Sequence, residues 1–362
     1  MAYRMYDWGL IDIFVYFSHN LVTIPPAGWT DVAHRHGTRV FGTFITEWDA
    51  GYEVCAKLLG SQETAHRAAE RLARIAVDHG FDGWLVNIEN KIDPGANIEV
   101  GAEAFTCKIF FPLDIGELTS CILPRRPSRF SMMVYFLKTL TAQMRAALPS
   151  ISSSYSFSTT VLWYDSVTFD GNLAWQNALN SKNRLFFDAC DGIYTNYCWK
   201  ANTPSACALE AEARRLDVYM GIDAYGRGTW GGGGFECDKA LGKLRRAGVS
   251  AALFAPGWTM EEKTSGGGKV DPSKGQRWGG VEQEFEDVNA EFWAKIAAVW
   301  PAPRPIPGRD GFRGGGGGVQ GAGCPVVVNF GRGVGSRWRI CGKEVAKFVA
   351  ADDGEQTARA CG

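Results

Sequence analysis

The stretch GFDGWLVNIEN, residues 80–90, is where residue type and spacing offer chemistry most directly. Asn87 and Glu89 lie two apart on a short apolar run, so on a strand their side chains share a face with Leu85, while Trp84, Val86 and Ile88 take the other. A carboxyl can give and accept a proton and an amide can orient a polar group beside it, so the pair offers acid/base work on a substrate that it also positions. The competing reading is structural: Glu89 pairs with a neighbouring cation and Asn87 caps the loop that follows.

Five further apolar runs end in the same manner, in mixed aromatic and polar residues: FITEW at 44–48, VLWYDS at 161–166, YTNYCW at 194–199, GIDAYGRG at 221–228 and FAPGW at 254–258. Thirteen tryptophans are many for this length, and several sit at these ends. An aromatic face stacks on the apolar face of a sugar while carboxylates and amides bind its hydroxyls, so the shared habit points to carbohydrate. For any single tryptophan, core packing is the plainer reading. Other chemistries lack a signature. HRH at 34–36 lacks the i, i+4 spacing of a helical zinc site, the glycine tracts do not match a phosphate loop, and no G-x-S-x-G or C-x-x-C occurs.

Elements able to hold such strand ends recur along the chain. Ser61 is a natural N-cap with Glu63 in the first turn, Ala65, Ala68, Ala69, Leu72, Ile75 and Ala76 follow at helical spacing, and Gly80 stops the helix. Strands are expected at Ile11–Phe17, Thr38–Ile45, Phe81–Glu89, Thr160–Tyr164, Gly192–Asn196, Val218–Ala224 and Ala251–Ala255. Further helices are expected at Met132–Leu148, Ala206–Leu216, Glu236–Ala247 and Glu282–Val299. Seven strands alternating with helices predict an α/β fold, a (β/α)8 TIM barrel with one strand unaccounted for; a doubly wound open sheet is the alternative.

Two regions break the alternation. Residues 101–130 have no clear period and read as an insertion or a segment foreign to the fold, and residues 301–323 read as a Pro/Gly-rich linker. The expected division is a catalytic barrel over 1–300, that linker, and a fragment of a β-rich module over 324–362.

The 362 residues carry 38 Lys+Arg against 39 Asp+Glu, a formal net charge of −1 that gives no global field for nucleic acid or an anionic membrane. With 46% hydrophobic residues the chain can build a core. Ten cysteines fall far below the density of a disulfide scaffold and read as reduced thiols. The N-terminus lacks the basic region and small-residue cleavage site of a secretory signal, and no apolar run reaches bilayer length, so the expected location is the cytosol.

Taken together, DIFVYFSHNLVTIPPAGWTDVAHRHGTRVFGTFITEW, GFDGWLVNIEN, VLWYDSVTFDGNLAWQNALN, DGIYTNYCWK, YMGIDAYGRG and LFAPGW resemble, in order, the endo-β-N-acetylglucosaminidases of glycoside hydrolase family 85. The resemblance implies a TIM-barrel enzyme that cuts the β-1,4 bond in the GlcNAc–GlcNAc core of N-glycans, glycopeptides or free oligosaccharides and leaves one GlcNAc on the acceptor. It implies catalysis in which the substrate's own 2-acetamido oxygen attacks the anomeric carbon, so that one acid/base carboxyl suffices. Glu89 is then the acid/base, Asn87 orients the acetamido group, and Tyr164 hydrogen-bonds that group or the oxazolinium intermediate. Trp175 and Trp199 resemble aromatics beside the acceptor and donor sites, and Glu47, Asn196 and Asp223 resemble contacts to sugar hydroxyls. Trp48 and Trp258, at the ends of FITEW and FAPGW, join them as substrate-binding aromatics. No metal or organic cofactor is implied.

Members of that family carry a barrel strand before the one equivalent to IDIFVYF, whereas here Met1 lies just upstream of Ile11. The expectation is therefore a barrel lacking its first strand, with two sheet edges unpaired. A noncatalytic glycan-binding barrel and a chitinase-like hydrolase are the alternatives, the latter lacking its D-x-x-D-x-D-x-E pattern here.

Overall fold

A computed structural model describes residues 5–92, 129–147, 160–261, 278–300, 326–331, 337–340, 343–350 and 356–360, with side chains described to residue 261 and over 285–300. Of the expected insertion 101–130, residues 101–128 lie outside the described residues, as does the linker 301–323, while Arg129 and Phe130 open a helix.

All seven expected strands are present: β1 (Ile13–Phe17), β3 (Arg39–Glu47), β4 (Gly83–Glu89), β5 (Val161–Tyr164), β6 (Gly192–Thr195), β7 (Val218–Asp223) and β8 (Ser250–Phe254). Each pairs in parallel with the next, and β1 pairs with β3. A two-residue strand, β2 (Val22–Thr23), runs antiparallel along the upper half of β3, opposite Phe44 and Thr43.

The open edge expected between β8 and β1 is closed. Val326–Gly331 forms β9, which pairs in parallel with β8 from Ala251↔Val326 and with β1 from Ile13↔Val327. No strand precedes β1 among the described residues; its place in the ring is taken by a segment from the other end of the chain. Three consecutive valines supply the β-branched run that a strand flanked on both sides requires. β9 therefore belongs to the barrel sheet although it falls in the stretch read as a C-terminal module. Beyond it, β10 (Arg337–Ile340), β11 (Lys343–Ala350) and β12 (Gln356–Ala360) form a separate antiparallel sheet.

Helices occupy the outside. The first two, α1 (Ala27–Arg35) and α2 (Trp48–Leu58), frame β3, and α3 (Gln62–His79) has the Ser61 cap, with Thr64 N donating to Ser61 Oγ at 3.1 Å and Gly80 left-handed at φ 70°. Then come α4 (Arg129–Ala147), α5 (Arg184–Ala189), α6 (Thr203–Ala211), α7 (Cys237–Ala247), α8 (Trp258–Glu261) and α9 (Trp278–Val299). The alternation read for β4 holds: Trp84, Val86 and Ile88 belong to the large cluster between sheet and helices, whereas Leu85 joins Ile13, Val15, Phe41, Ile45, Leu162, Tyr194, Tyr219 and Ala252 in the barrel interior. Gly83 faces those interior side chains, where a Cβ would lie 2.4 Å from the Thr160 carbonyl and 2.6 Å from the Phe41 ring. That plug of side chains closes the barrel from below, so polar chemistry is confined to the upper strand ends.

Among the described residues no helix is long and apolar enough to cross a membrane, and no group of three or more His, Cys, Asp or Glu is placed to hold a metal. Cys55, Cys190, Cys198, Cys207 and Cys237 are free thiols.

Candidate active site at the carboxyl ends of the strands

The register of three adjacent strands builds the centre. β3 and β4 pair so that Ile45 lies opposite Asn87 and Glu47 opposite Glu89. β4 and β5 pair through Val86↔Trp163, and the same register one residue on sets Tyr164 beside Asn87. Strand alternation points Ile45, Glu47, Asn87, Glu89 and Tyr164 inward, and Val86 and Trp163 outward. Asn87 is 4% exposed, and its Oδ1 has no hydrogen-bond partner among the described residues. A buried acceptor left unpaired is costly unless a ligand donates to it, which marks this oxygen as a binding group.

Burial, and next the negative charge of Glu47, push the Glu89 carboxyl above the usual range, while a hydrogen bond from Trp175 opposes them. The Tyr164 phenol is held well above its ordinary value by burial and then by the charge of Glu89, so it stays a neutral donor. Its hydroxyl donates to Asn196 Oδ1 at 3.1 Å, and Asn196 Nδ2 donates to Asn177 Oδ1 at 2.9 Å.

The loop after β5 is anchored by Asp165, which accepts from Gln176 N at 3.2 Å, Asn177 N at 2.7 Å and Asn183 Nδ2 at 3.0 Å. Burial raises this carboxyl to about 6 despite those donors. This anchorage carries Trp175, 39% exposed, to Glu89. On the other flank β3 passes straight into α2 through Trp48, whose φ of 53° is rare for a residue with a side chain and turns the indole outward, 66% exposed. Gly51 lets α2 press against the end of β4, where a Cβ would sit 2.5 Å from Asn90 Oδ1.

The ring of strands brings Asn87, Glu89, Tyr164, Glu47, Asn196, Trp48 and Trp175 to one mouth. It does not bring Trp199 or Trp258 to a sugar-stacking surface. Trp199 is 3% exposed, donates its indole N–H to the Gly221 carbonyl at 2.7 Å and stacks on Trp230; Trp258 packs beneath Gly234 and edge-on to Phe235. Both are core residues, because the loops after β6 and β7 fold back over them. Asp223 is likewise fully buried and engaged: Arg227 Nε reaches its Oδ2 at 2.7 Å and Arg227 Nη2 its Oδ1 at 3.0 Å, so it braces the loop after β7 rather than facing a sugar hydroxyl. Asp165, Asn177 and His19 join the site without having been expected there; Asp165 follows the apolar run of β5 and His19 lies two residues past that of β1, so strand-end position is the signal that reaches them.

An eight-stranded parallel barrel with acid, amide and phenol groups gathered at the carboxyl ends of its strands has the architecture of a barrel enzyme. The family model of glycosyl hydrolase family 85 matches residues 1–338, and the chain belongs to that family. It is 39% identical over 346 residues to cytosolic endo-beta-N-acetylglucosaminidase 1 of Arabidopsis thaliana, a match covering 96% of this chain and 40% of the relative. To the cytosolic endo-beta-N-acetylglucosaminidase of Homo sapiens it is 42% identical over 260 residues, 72% of this chain and 30% of the human protein. The chain thus spans well under half the length of these relatives. Among solved structures, the glycoside hydrolase domain of Endo-D from Streptococcus pneumoniae R6 superposes with a TM-score of 0.50 at 18% identity, covering 78% of this chain and 38% of that one, which speaks to fold alone.

Proposed function

We propose that this chain is the barrel of an endo-β-N-acetylglucosaminidase that cuts the GlcNAc-β-1,4-GlcNAc core of N-glycans and acts in the cytosol, as the names of its relatives indicate for them. The observation that carries the reading is the unpaired, buried Asn87 Oδ1 two residues from a carboxyl raised toward its protonated form. Asn87 Oδ1 accepts the N–H of the substrate's 2-acetamido group, and the Tyr164 O–H turns from Asn196 Oδ1 to donate to the same group. So held, the acetamido carbonyl oxygen attacks the anomeric carbon as the bond to the departing GlcNAc breaks. The Glu89 proton passes to the leaving oxygen, giving an oxazolinium and a Glu89 carboxylate. Water then attacks the anomeric carbon from the vacated side, Glu89 takes the water's proton, and the bond to the acetamido oxygen breaks. The exposed faces of Trp48 and Trp175 flank this centre and hold the sugars on either side of the bond.

The test is mass spectrometry of a high-mannose glycopeptide incubated with wild type and with Glu89→Gln. Wild type is expected to leave peptide carrying one GlcNAc, and Glu89→Gln to leave the substrate intact. Binding without cleavage by folded wild type would replace this reading with a glycan-binding barrel, and cleavage of mannose-free chitin oligomers alone would replace it with a chitinase-like enzyme.

A further inference from the structure

Glu47 stands directly opposite Glu89 on the neighbouring strand, and both of its oxygens are held from the far side. His19 Nδ1 lies 3.1 Å from Glu47 Oε1 and 3.1 Å from Oε2. The segment carrying His19 is fixed by its own bonds: Ser18 Oγ to Thr23 Oγ1 at 2.6 Å, Asn20 N to Ser18 Oγ at 3.1 Å, and Ile45 N to the Leu21 carbonyl at 3.0 Å. The last tie is to β3 itself, two residues before Glu47, so the loop after β1 travels with the strand that bears the carboxylate. Phe17 meets the imidazole edge-on at 5.3 Å. A single imidazole nitrogen shared between both oxygens holds the Glu47 carboxyl in one orientation.

We propose that His19 and Glu47 are a positioning pair for Glu89: the Glu47 carboxylate set beside Glu89 favours its proton-bearing form, and the imidazole that grips Glu47 from the far side limits that push, so that Glu89 can both give and retrieve a proton. This rests on the assignment of Glu89 as the acid. The groups facing Glu89 are Glu47 from β3, His19 from the loop after β1, Tyr164 from β5, Trp175 from the loop after β5 and Tyr197 from the loop after β6. Of these Glu47 is the anion and His19, when protonated, the cation. They act on Glu89 in opposite senses, Glu47 against its ionisation and His19 in favour of it. A carboxyl that must first give a proton and then retrieve one needs both a push toward protonation and a limit on it.

The pair is tested by titrating the Glu89 carboxyl in protein labelled with carboxyl-13C glutamate, the signal being assigned by its loss in Glu89→Gln. In Glu47→Gln the midpoint is expected to fall by on the order of 1 pH unit, and in His19→Gln to rise by a smaller amount. The alkaline limb of kcat/KM on glycopeptide should move with it, down in the first variant and up in the second. Because the His19 side chain is 72% exposed, His19→Gln is expected to fold even where Glu47→Gln does not. Midpoints that stay put, or that move the same way in both variants, overturn the proposal. If folded wild type cleaves nothing, the hydrolase reading fails, while the carboxyl titration still decides whether the three side chains are coupled.

Discussion

Trp175 and Glu89 face each other across the site mouth from two different strand-end segments, and the indole is the first of the groups that offset the upward push of burial and Glu47 on the Glu89 carboxyl. The indole N–H favours the ionised carboxyl, so removing it weakens the acid. Trp175→Phe keeps a ring for the sugar and deletes the donor. The alkaline limb of the kcat/KM profile is expected to move up by about half a pH unit or more. Because Trp175 is 39% exposed, the melting temperature should change little.

Asn87→Ala removes an acceptor that has no partner among the described residues, so the variant should be as stable as wild type or slightly more so in urea. Hydrolysis of glycopeptide should fall by about 10²–10³-fold, the usual loss for a group that stabilises developing charge. A preformed sugar oxazoline, which no longer needs the acetamido group to be steered, should still serve as donor. Hydrolysis at the wild-type rate would remove Asn87 from the mechanism.

The tryptophans divide into two behaviours. Trp48→Ala, at an exposed and left-handed position, should leave stability within about 0.5 kcal/mol and raise KM for glycopeptide. Trp258→Ala, deep against Phe235 and Phe292, should cost about 3–5 kcal/mol of unfolding free energy. Denaturant melts of the two variants separate the roles without any substrate.

At the lower end of the barrel His34 Nε2 contacts Asp82 Oδ2 at 2.7 Å, and this hydrogen bond is the main reason the imidazole holds its proton above the ordinary histidine value of 6.5. A group raised in the folded state stabilises fully below its unfolded value and loses that contribution as pH rises through the folded one. The advantage of wild type over His34→Gln in thermal melts should therefore be largest below about pH 6.5 and shrink as pH rises beyond it. A gap independent of pH would refute the assignment.

Much of this was legible from alternation alone. The seven strands of the repeating barrel, the capped helix after Ser61 and the inward face of Leu85, Asn87 and Glu89 follow from a period of two or of 3.6. Periodicity cannot say how far a strand-end side chain is covered by the loop beyond it, and Trp199, Trp258 and Asp223 were misplaced for that reason. Short helices such as Arg184–Ala189 carry too few turns to show a period. β9 was invisible as a barrel strand because partner choice depends on which edge is vacant, a property of the whole sheet rather than of the segment.

The place of β9 between the first and the last strands of the repeating series has a consequence for biosynthesis. β1 is made before the other described barrel strands, yet one of its two neighbours is made only after all of them. Until Val326–Gly331 emerges, the nascent chain carries a sheet with two free edges facing each other across a gap, the configuration most open to pairing with another chain. Closure is thus a long-range and late event, slow by topology. The polar mouth holding Glu89 and Asn87 is formed from strands made well before it, so the site's groups are assembled on an open sheet and acquire their final rigidity when the ring is completed.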